Sequence, residues 1–117
     1  MSEIVRKQIT PRMSRIVIHN DTIYLCGQVG AEGKDIKEQS EIMLDKVDTL
    51  LKEAGSDHDH ILSVTVYLSD MGYFQAFNEV YDSWVSTVAP PARACVEARL
   101  ARPGLFCEVS VVAAVRK

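Results

Sequence analysis

The hydrophobic residues of this chain change their spacing several times, from every second residue to every third or fourth and back. A spacing of two is typical of a strand with one buried face, and a spacing of three to four is typical of an amphipathic helix. Taken in order, the changes predict β-β-β-α-β-α-β-β, with a weak first strand in EIVRKQI. Two helices can cover only one face of such a sheet. We therefore expect an α+β fold, a mixed six-stranded sheet with both helices on one side.

Nothing along the chain marks a boundary between domains. The sequence has 117 residues, which is the size of one ordinary domain, and it contains no repeat and no linker rich in Pro, Gly or Ser. We therefore expect residues 1–117 to form a single domain.

The first helix has sequence signals at both of its ends. Asp35 is a candidate N-cap, Glu38 would complete a capping box, and Gly55 suits the left-handed position after the last turn. The residues at helical spacing on its buried stripe are Ile36, Ser40, Met43, Val47, Leu50, Leu51 and Ala54.

The second helix is predicted over residues 71–87. Asp70 is its candidate cap, and Pro90 and Pro91 would prevent its continuation. Its apolar stripe consists of Phe74, Phe77, Tyr81, Trp84, Val85 and Val88.

Several predicted strands carry polar residues on one of their two faces. TIYLCGQV alternates as one strand, and in PPARACVEARLA the residues Arg93, Cys95, Glu97 and Arg99 alternate with smaller ones. We expect the polar sets to lie opposite the helices. They are Tyr24, Cys26, Gln28, Thr65, Tyr67, Arg93, Cys95, Glu97, Glu108 and Ser110. A face that mixes apolar, polar and reactive side chains in this way is typical of a subunit interface that contains a few functional side chains.

Charge and composition argue against several classes of partner. The net charge is −3 and the Lys and Arg residues are scattered, so we expect no nucleic-acid partner. No apolar run reaches the roughly 20 residues of a membrane span. The start of the chain lacks the apolar segment of a secretory signal, so a cytoplasmic protein with no membrane partner is expected.

The cysteines and histidines give weak signals of chemistry. Three cysteines with wide spacing lack any CxxC motif and are expected to be reduced thiols. His58 and His60 in DHDH are two candidate metal ligands, but two ligands fall short of a tetrahedral site. A solvated loop is the better interpretation of that segment.

Three motifs, in this order, resemble those of the Rid family (RidA/YjgF-like) of reactive-intermediate deaminases over nearly the whole chain. They are YLCGQVG, then LLKEAGSDHDHILSVTVYLSDMGYFQAFNEVY, then PPARACVEA followed by CEVSVVAAV, with Arg93 and Glu108 fifteen positions apart. The resemblance implies the chorismate mutase-like/YjgF-like fold. It also implies a homotrimer with a central barrel and three clefts at the subunit interfaces.

The resemblance also implies an activity and a set of site residues. Members hydrolyse enamines and imines such as 2-aminoacrylate to 2-oxo acids and ammonia, without a metal or organic cofactor. The carboxylate-binding arginine of the family falls on Arg93, and its water-orienting glutamate falls on Glu108. Further family positions at the cleft fall on Cys95, Gly27, Gln28 and Asn78.

Two positions depart from the family pattern. Met13 stands where the best-studied branch has a tyrosine, and Cys26 stands where it has a serine. Both changes remove a hydroxyl from the implied pocket. We therefore expect a more apolar pocket and a preference for longer aliphatic or aromatic imino acids over 2-aminoacrylate.

The chemistry of the implied residues suits an imino acid. An arginine fork matches a carboxylate with two parallel hydrogen bonds. Glu108, expected on an adjacent strand and on the same face as Arg93, would orient a water and transfer a proton. Cys95 has no histidine in a matching strand, so a nucleophilic thiol is not expected.

Alternatives remain for each of these residues. Arg93 could instead bridge to Glu97 or to an acid of a neighbouring subunit, and Glu108 could be a structural partner of Arg93 or Arg99. At the level of function, the alternative is a non-enzymatic trimer that binds a 2-oxo acid or amino acid in the same cleft. A purely structural oligomer is disfavoured because an unneeded buried charge is costly.

Overall fold

The computed structural model describes residues 3–87 and 89–117. Its strands are β1 (Ile4–Ile9), β2 (Ser14–His19), β3 (Thr22–Leu25), β4 (Gln28–Val29), β5 (Ile61–Leu68), β6 (Ala92–Glu97) and β7 (Cys107–Ala114). Its helices are α1 (Ile36–Glu53) and α2 (Phe74–Trp84). Short 3₁₀ turns at His58–His60 and Met71–Tyr73 precede β5 and α2.

All strands belong to one sheet, in which the order is β1-β2-β3-β7-β5-β6 and β4 also pairs with β7. β5 and β6 run parallel and the other described pairs run antiparallel, so the sheet is mixed. The two helices pack against each other, and α1 lies over β4 and β7. The predicted α+β fold with two helices on a mixed sheet is confirmed.

Helix α1 has the ends that its sequence predicts. The side chain of Asp35 accepts a hydrogen bond from the backbone N–H of Glu38 at 2.9 Å, and Glu38 reciprocates. Gly55 follows the helix with φ +85°, a conformation that glycine adopts without steric cost. Met43, Val47 and Leu51 on the buried stripe are fully buried in the core. The whole stripe is thereby fixed against the sheet.

Helix α2 is shorter than predicted. Residues 71–73 form a 3₁₀ turn, in which Asp70 accepts from the N–H of Gly72 at 2.7 Å, and the α-helix ends at Trp84. Val85 is already extended, with φ −68° and ψ 147°. β-Branched and hydroxyl residues are poor helix formers, so the run that begins at Val85 does not continue the helix to the prolines. Val88 of the predicted stripe lies outside the described residues.

The predicted strand TIYLCGQV is interrupted in its middle. Tyr24 pairs with Val112 and Gln28 pairs with Val109, so three residues, 25–27, lie opposite two, 110–111. This extra residue is a β-bulge, a feature that bends a strand and redirects its side chains. The bulge divides the strand into β3 and β4, which gives seven strands instead of six.

The face assignment of β6 was wrong. In the parallel pair, Arg93 lies beside Val64 and Cys95 beside Val66, and both valines are buried toward the helices. Residues that pair in neighbouring strands share a face, so Arg93 and Cys95 lie on the helix side of the sheet. Val96, an apolar residue that alternates with them in the sequence, is 44% exposed on the other side. Register with β5, and not polarity, decides the orientation of this edge strand.

The polar residue Gln39 is fully buried near the start of α1. Its amide nitrogen donates to the carbonyls of Lys34 (3.0 Å) and Gly104 (2.9 Å), and its oxygen accepts from the N–H of Phe106 (2.8 Å). One side chain thus joins the loop before α1 to the loop before β7.

Within the described residues, neither helix combines the length and apolarity that a membrane-spanning helix requires.

Candidate functional site

The guanidinium of Arg93 lies over three aromatic rings of α2. Its central carbon is 4.7 Å from the ring centre of Tyr81 and 5.9 Å from those of Phe74 and Phe77. One nitrogen donates to the side-chain oxygen of Asn78 at 2.9 Å. Cation–π contact and a neutral acceptor thus hold the cation in place.

Among the residues that the structure describes, no acid forms an ion pair with Arg93 within one protomer. The ion pairs of Arg and Lys side chains among residues 3–87 and 89–117 involve Lys37, Arg102, Arg116 and Lys117. Glu97, the predicted alternative partner, accepts instead from the backbone N–H of Met71 at 2.9 Å. Because Asn78 takes only one of the five guanidinium donors, the remaining donors can meet an anion.

The thiol of Cys95 lies on the same face, two residues after Arg93. Burial raises its pKa, and the charge of Arg93 lowers it by a smaller amount. The thiol is therefore protonated at neutral pH. This agrees with a packing role for Cys95 and argues against a nucleophile.

Glu108 lies in a different place, on the sheet face away from the helices. It pairs with Tyr67 in β5, whereas its neighbour Val109 is fully buried toward α1. A cavity of about 300 Å³ opens beside it, lined by Gly27, Tyr67, Ala98, Arg99, Leu100, Glu108 and Ser110. The implied general base thus has an accessible space, with Gly27 of the bulge on its wall.

Cys26 and Gln28 flank Gly27 in the bulge. The amide nitrogen of Gln28 donates to the carbonyl of Cys26 at 3.3 Å and to that of Gly27 at 3.2 Å. It also contacts the sulfur of Cys26 at 3.2 Å. Gln28 therefore fixes the irregular backbone against which Glu108 lies.

Met13 lies in the turn between β1 and β2, and its side chain is 47% exposed. Its backbone N–H and C=O both bond to the Thr10 hydroxyl, at 3.1 and 3.0 Å. This turn holds Met13 outside the cavity beside Glu108.

The predicted site residues therefore form two groups in one protomer. Arg93, Cys95 and Asn78 lie on the helix side, and Gly27 and Glu108 lie on the opposite side. The expectation that Arg93 and Glu108 share a face on adjacent strands was wrong. β5 lies between β6 and β7, and the registers with β5 place the two side chains on opposite faces. One chain alone does not assemble a site that contains both.

Two features of these groups were missed in the sequence. The rings of Phe74, Phe77 and Tyr81 were assigned only to the buried stripe of α2, yet they also support Arg93. Arg99 was considered only as an ion-pair partner, yet it lines the cavity beside Glu108. The sequence signal for this role was the position of Phe74 near the start of a helix, where one side of a residue is often exposed.

The histidines of the DHDH segment are engaged by acids. Nδ1 of His58 lies 3.1 Å from Asp48, and Nδ1 of His60 lies 2.7 Å from Asp57. Within residues 3–87 and 89–117, no group of three or more His, Cys, Asp or Glu side chains is arranged to hold a metal.

Another cavity, about 680 Å³, lies along residues 97–105 and not at either group. It shares Arg99 with the cavity beside Glu108. Since its walls are formed mostly by one loop, its size alone does not identify a site.

Comparison with known proteins relates most of the chain to one family. A family model described as Endoribonuclease L-PSP matches residues 6–115. A RutC family protein of Haemophilus ducreyi is 37% identical over 113 residues, covering 96% of this chain and 97% of that protein. The RutC family protein YoaB of Escherichia coli is 38% identical, covering 96% and 98%.

Solved structures extend the similarity to the fold. The crystal structure of NMB1025 from Neisseria meningitidis, described as a member of the YjgF protein family, superposes with a TM-score of 0.96. Its sequence is 43% identical, and the match covers 98% of this chain and 97% of that one.

Proposed function

Because the chain belongs to the YjgF/RidA family, whose model is described as Endoribonuclease L-PSP, we propose that it hydrolyses enamine and imine forms of amino acids. The products are 2-oxo acids and ammonia. The proposed sites lie between the subunits of a homotrimer and use no metal or organic cofactor.

The main support is the state of Arg93. Its guanidinium is held by three rings and one amide, and no carboxylate of the described protomer pairs with it. A half-buried cation without an acid partner is costly unless an anion completes its hydrogen bonds. The carboxylate of an imino acid supplies that anion with matching planar geometry.

A homotrimer reconciles the two groups of residues. Arg93 lies on β6 at one edge of the sheet, and Glu108 lies on the open sheet face. Tyr24 is 48% exposed and Val96 44% exposed, and both lie on that open face. Exposed apolar side chains on a sheet favour association. If the edge of one subunit meets the open face of the next, Arg93 and Glu108 of different subunits meet.

The proposed reaction then needs two residues. With the carboxylate fixed by Arg93, Glu108 accepts a proton from water as the water oxygen bonds to the carbon of the protonated imine and the C=N π electrons move to nitrogen, which leaves a neutral amine. Glu108 returns that proton to the nitrogen. The carbon–nitrogen bond breaks, ammonia leaves, and loss of the hydroxyl proton gives the 2-oxo acid. Positioning of this kind and one proton-transfer group are the main requirements.

A second candidate is a trimer that binds a 2-oxo acid or amino acid without turning it over. Cys26 and Met13 favour it, because both lack the hydroxyl that the best-studied branch supplies at these positions. In both candidates Arg93 binds the carboxylate, and they differ in whether Glu108 is required, since only hydrolysis needs it. An RNA substrate, which the family description suggests, would require a stripe of cations, whereas the net charge is −3.

The test is a coupled hydrolysis assay. An amino-acid oxidase generates imines in situ from several amino acids, and the release of 2-oxo acid is followed with wild-type protein, Arg93→Lys and Glu108→Gln. We expect acceleration by the wild type only. Binding of 2-oxo acids without acceleration for any imine would support the second candidate.

Light scattering on the same samples should give about three times 13.0 kDa, and a stable monomer would contradict an interfacial site.

A further inference from the structure

An exposed apolar surface lies directly beside Arg93. Phe74, at the start of α2, is 37% exposed, and Met71, in the 3₁₀ turn before it, is 41% exposed, although both have large apolar side chains. They are three residues apart, which places them on one side of a helical turn. The ring centre of Phe74 is 5.9 Å from the guanidinium carbon of Arg93. A hydrophobic surface thus adjoins the proposed carboxylate-binding group.

This surface follows β6 toward its C-terminal end. Phe74 lies at Arg93, and the backbone of Met71 is tied to the side chain of Glu97, four residues later in β6. Cys95 lies between them on the same face. Because the Glu97 carboxylate accepts from Met71, it is directed to the backbone of this segment. We call Phe74, Met71 and Cys95 the apolar strip.

We propose that the apolar strip binds the side chain of the substrate whose carboxylate binds Arg93. This inference rests on the proposed function and specifies the substrate class as imino acids with branched aliphatic or aromatic side chains. The strip offers one ring, one thioether and one thiol. Methionine adapts to irregular shapes, and its sulfur makes favourable contacts with aromatic rings.

The proposed preference for substrates with apolar side chains thereby has a structural origin different from the one expected from the sequence. That expectation depended on Met13 and Cys26, which lie in the β1–β2 turn and in the bulge, respectively. The apolar strip lies instead on the element that holds Arg93. Side chain and carboxylate of the ligand would therefore be recognised by the same subunit.

The expected size of the preference follows from the area in contact. A ligand ring or isobutyl group that covers about 50 to 60 Å² of apolar surface binds about tenfold more tightly than a ligand without it. Phenylpyruvate and 4-methyl-2-oxopentanoate should therefore bind about tenfold more tightly than pyruvate.

The experiment is calorimetric titration of the full chain with these three 2-oxo acids. It uses wild-type protein, Phe74→Ala, Met71→Ala and the control Ile4→Ala. Ile4 is 48% exposed on β1, at the opposite edge of the sheet from β6. We expect the ratio of Kd for pyruvate to Kd for phenylpyruvate to be about ten in wild type and Ile4→Ala, and about one to three in the two strip variants.

The outcomes separate the two levels of proposal. If pyruvate binds but the wild-type ratio is near one, the apolar strip has no role in recognition, while the proposed function stands. A ratio that survives in both strip variants also overturns the inference. If Phe74→Ala dissociates the oligomer in light scattering, the strip is a subunit contact and the inference fails. If no 2-oxo acid binds the wild type, the Arg93 site itself fails.

Discussion

The carboxylate of Glu108 occupies the space that a side chain on Gly27 would need. A β-carbon built on Gly27 would lie 3.2 Å from the carboxylate carbon and still closer to one of its oxygens. Real β-carbons essentially never approach a neighbour so closely, so the residue at position 27 and the position of Glu108 depend on each other. A glycine is needed at this position of the bulge because any side chain there would occupy the space of the Glu108 carboxylate.

Gly27→Ala should therefore displace the carboxylate of Glu108 while the fold is kept. A displacement of about 1 Å at a catalytic group lowers the rate by about a hundredfold, and we expect that loss in kcat/KM for imine hydrolysis. The control is Gly104→Ala, whose new β-carbon would lie nearest to the flexible side chain of Glu32, at 3.1 Å. Full activity of Gly27→Ala, with an unchanged melting temperature, would remove Glu108 from the mechanism.

Arg93→Lys should keep the fold and lose the affinity for carboxylates. Lysine keeps the charge but not the planar fork, and it does not stack on Tyr81 in the same way. Loss of one charge-assisted hydrogen bond weakens binding by roughly 1.5 to 3 kcal/mol, which is about ten- to a hundredfold in Kd. Calorimetric titration with pyruvate or 2-oxobutyrate measures the change, and melting curves of both proteins control for stability. Equal affinity in the two proteins would reject the assignment of Arg93.

Gln39→Leu should destabilise the protein without touching the site. The substitution leaves the N–H of Phe106 and the carbonyl of Gly104 without their buried partner. Each buried polar group left unpaired costs about 1 to 3 kcal/mol, so we expect the free energy of unfolding to fall by about 3 kcal/mol. Urea titration measures it. Gln75→Leu on the exposed side of α2 is the matched control and should change stability by less than about 0.5 kcal/mol.

The thiol of Cys107 should be unreactive in the native protein. Burial raises its pKa to about 11, while a hydrogen bond with Ser40 lowers it by a smaller amount. At pH 8 the thiolate is therefore a minor form, and the side chain is fully buried as well. Titration with a thiol reagent, followed by mass mapping, should label Cys107 only after unfolding. Rapid native labelling at Cys107 would show that β7 opens under these conditions.

The matched variant for this experiment is Cys107→Ala. It should leave the number of thiols that react in the native protein unchanged. After unfolding it should show one thiol fewer than the three of the wild type.

Local signals in the sequence were sufficient for the first helix. Asp35, Glu38 and Gly55 act within a few residues of each other, so their pattern predicts the ends of α1 without knowledge of the rest of the chain. The turn between β2 and β3 carries an equally local signal, because Asn20, which adopts φ +58°, is a residue type that tolerates this conformation.

The orientation of β6 depends on contacts far apart in the sequence. Alternation shows that Arg93 and Val96 face opposite ways, but not which of them faces the helices. The pairing of Arg93 with Val64 decides that question, and it joins segments separated by helix α2. The polarity of Arg93 suggested the wrong face of the sheet, because a guanidinium can also lie on the helix side, where it makes cation–π contacts with the rings of α2.

The identities of the site residues came from the resemblance to a family, and their arrangement came from the structure. No spacing in the sequence indicates that Gly27 lies against Glu108, since a bulge must first bring them together. The division of the site between two faces was equally hidden, because it follows from the registers of β6 and β7 on β5.

The separation of Arg93 and Glu108 on opposite sides of the sheet has a genetic consequence. In a ring of identical subunits, a site composed of Arg93 from one chain and Glu108 from the next can be rebuilt from two defective chains. An Arg93→Lys chain still donates an intact Glu108, and a Glu108→Gln chain still donates an intact Arg93. Co-expressed in equal amounts and assembled at random, two inactive alleles would restore about a quarter of the wild-type sites. Such alleles would complement each other in a cell that carries both.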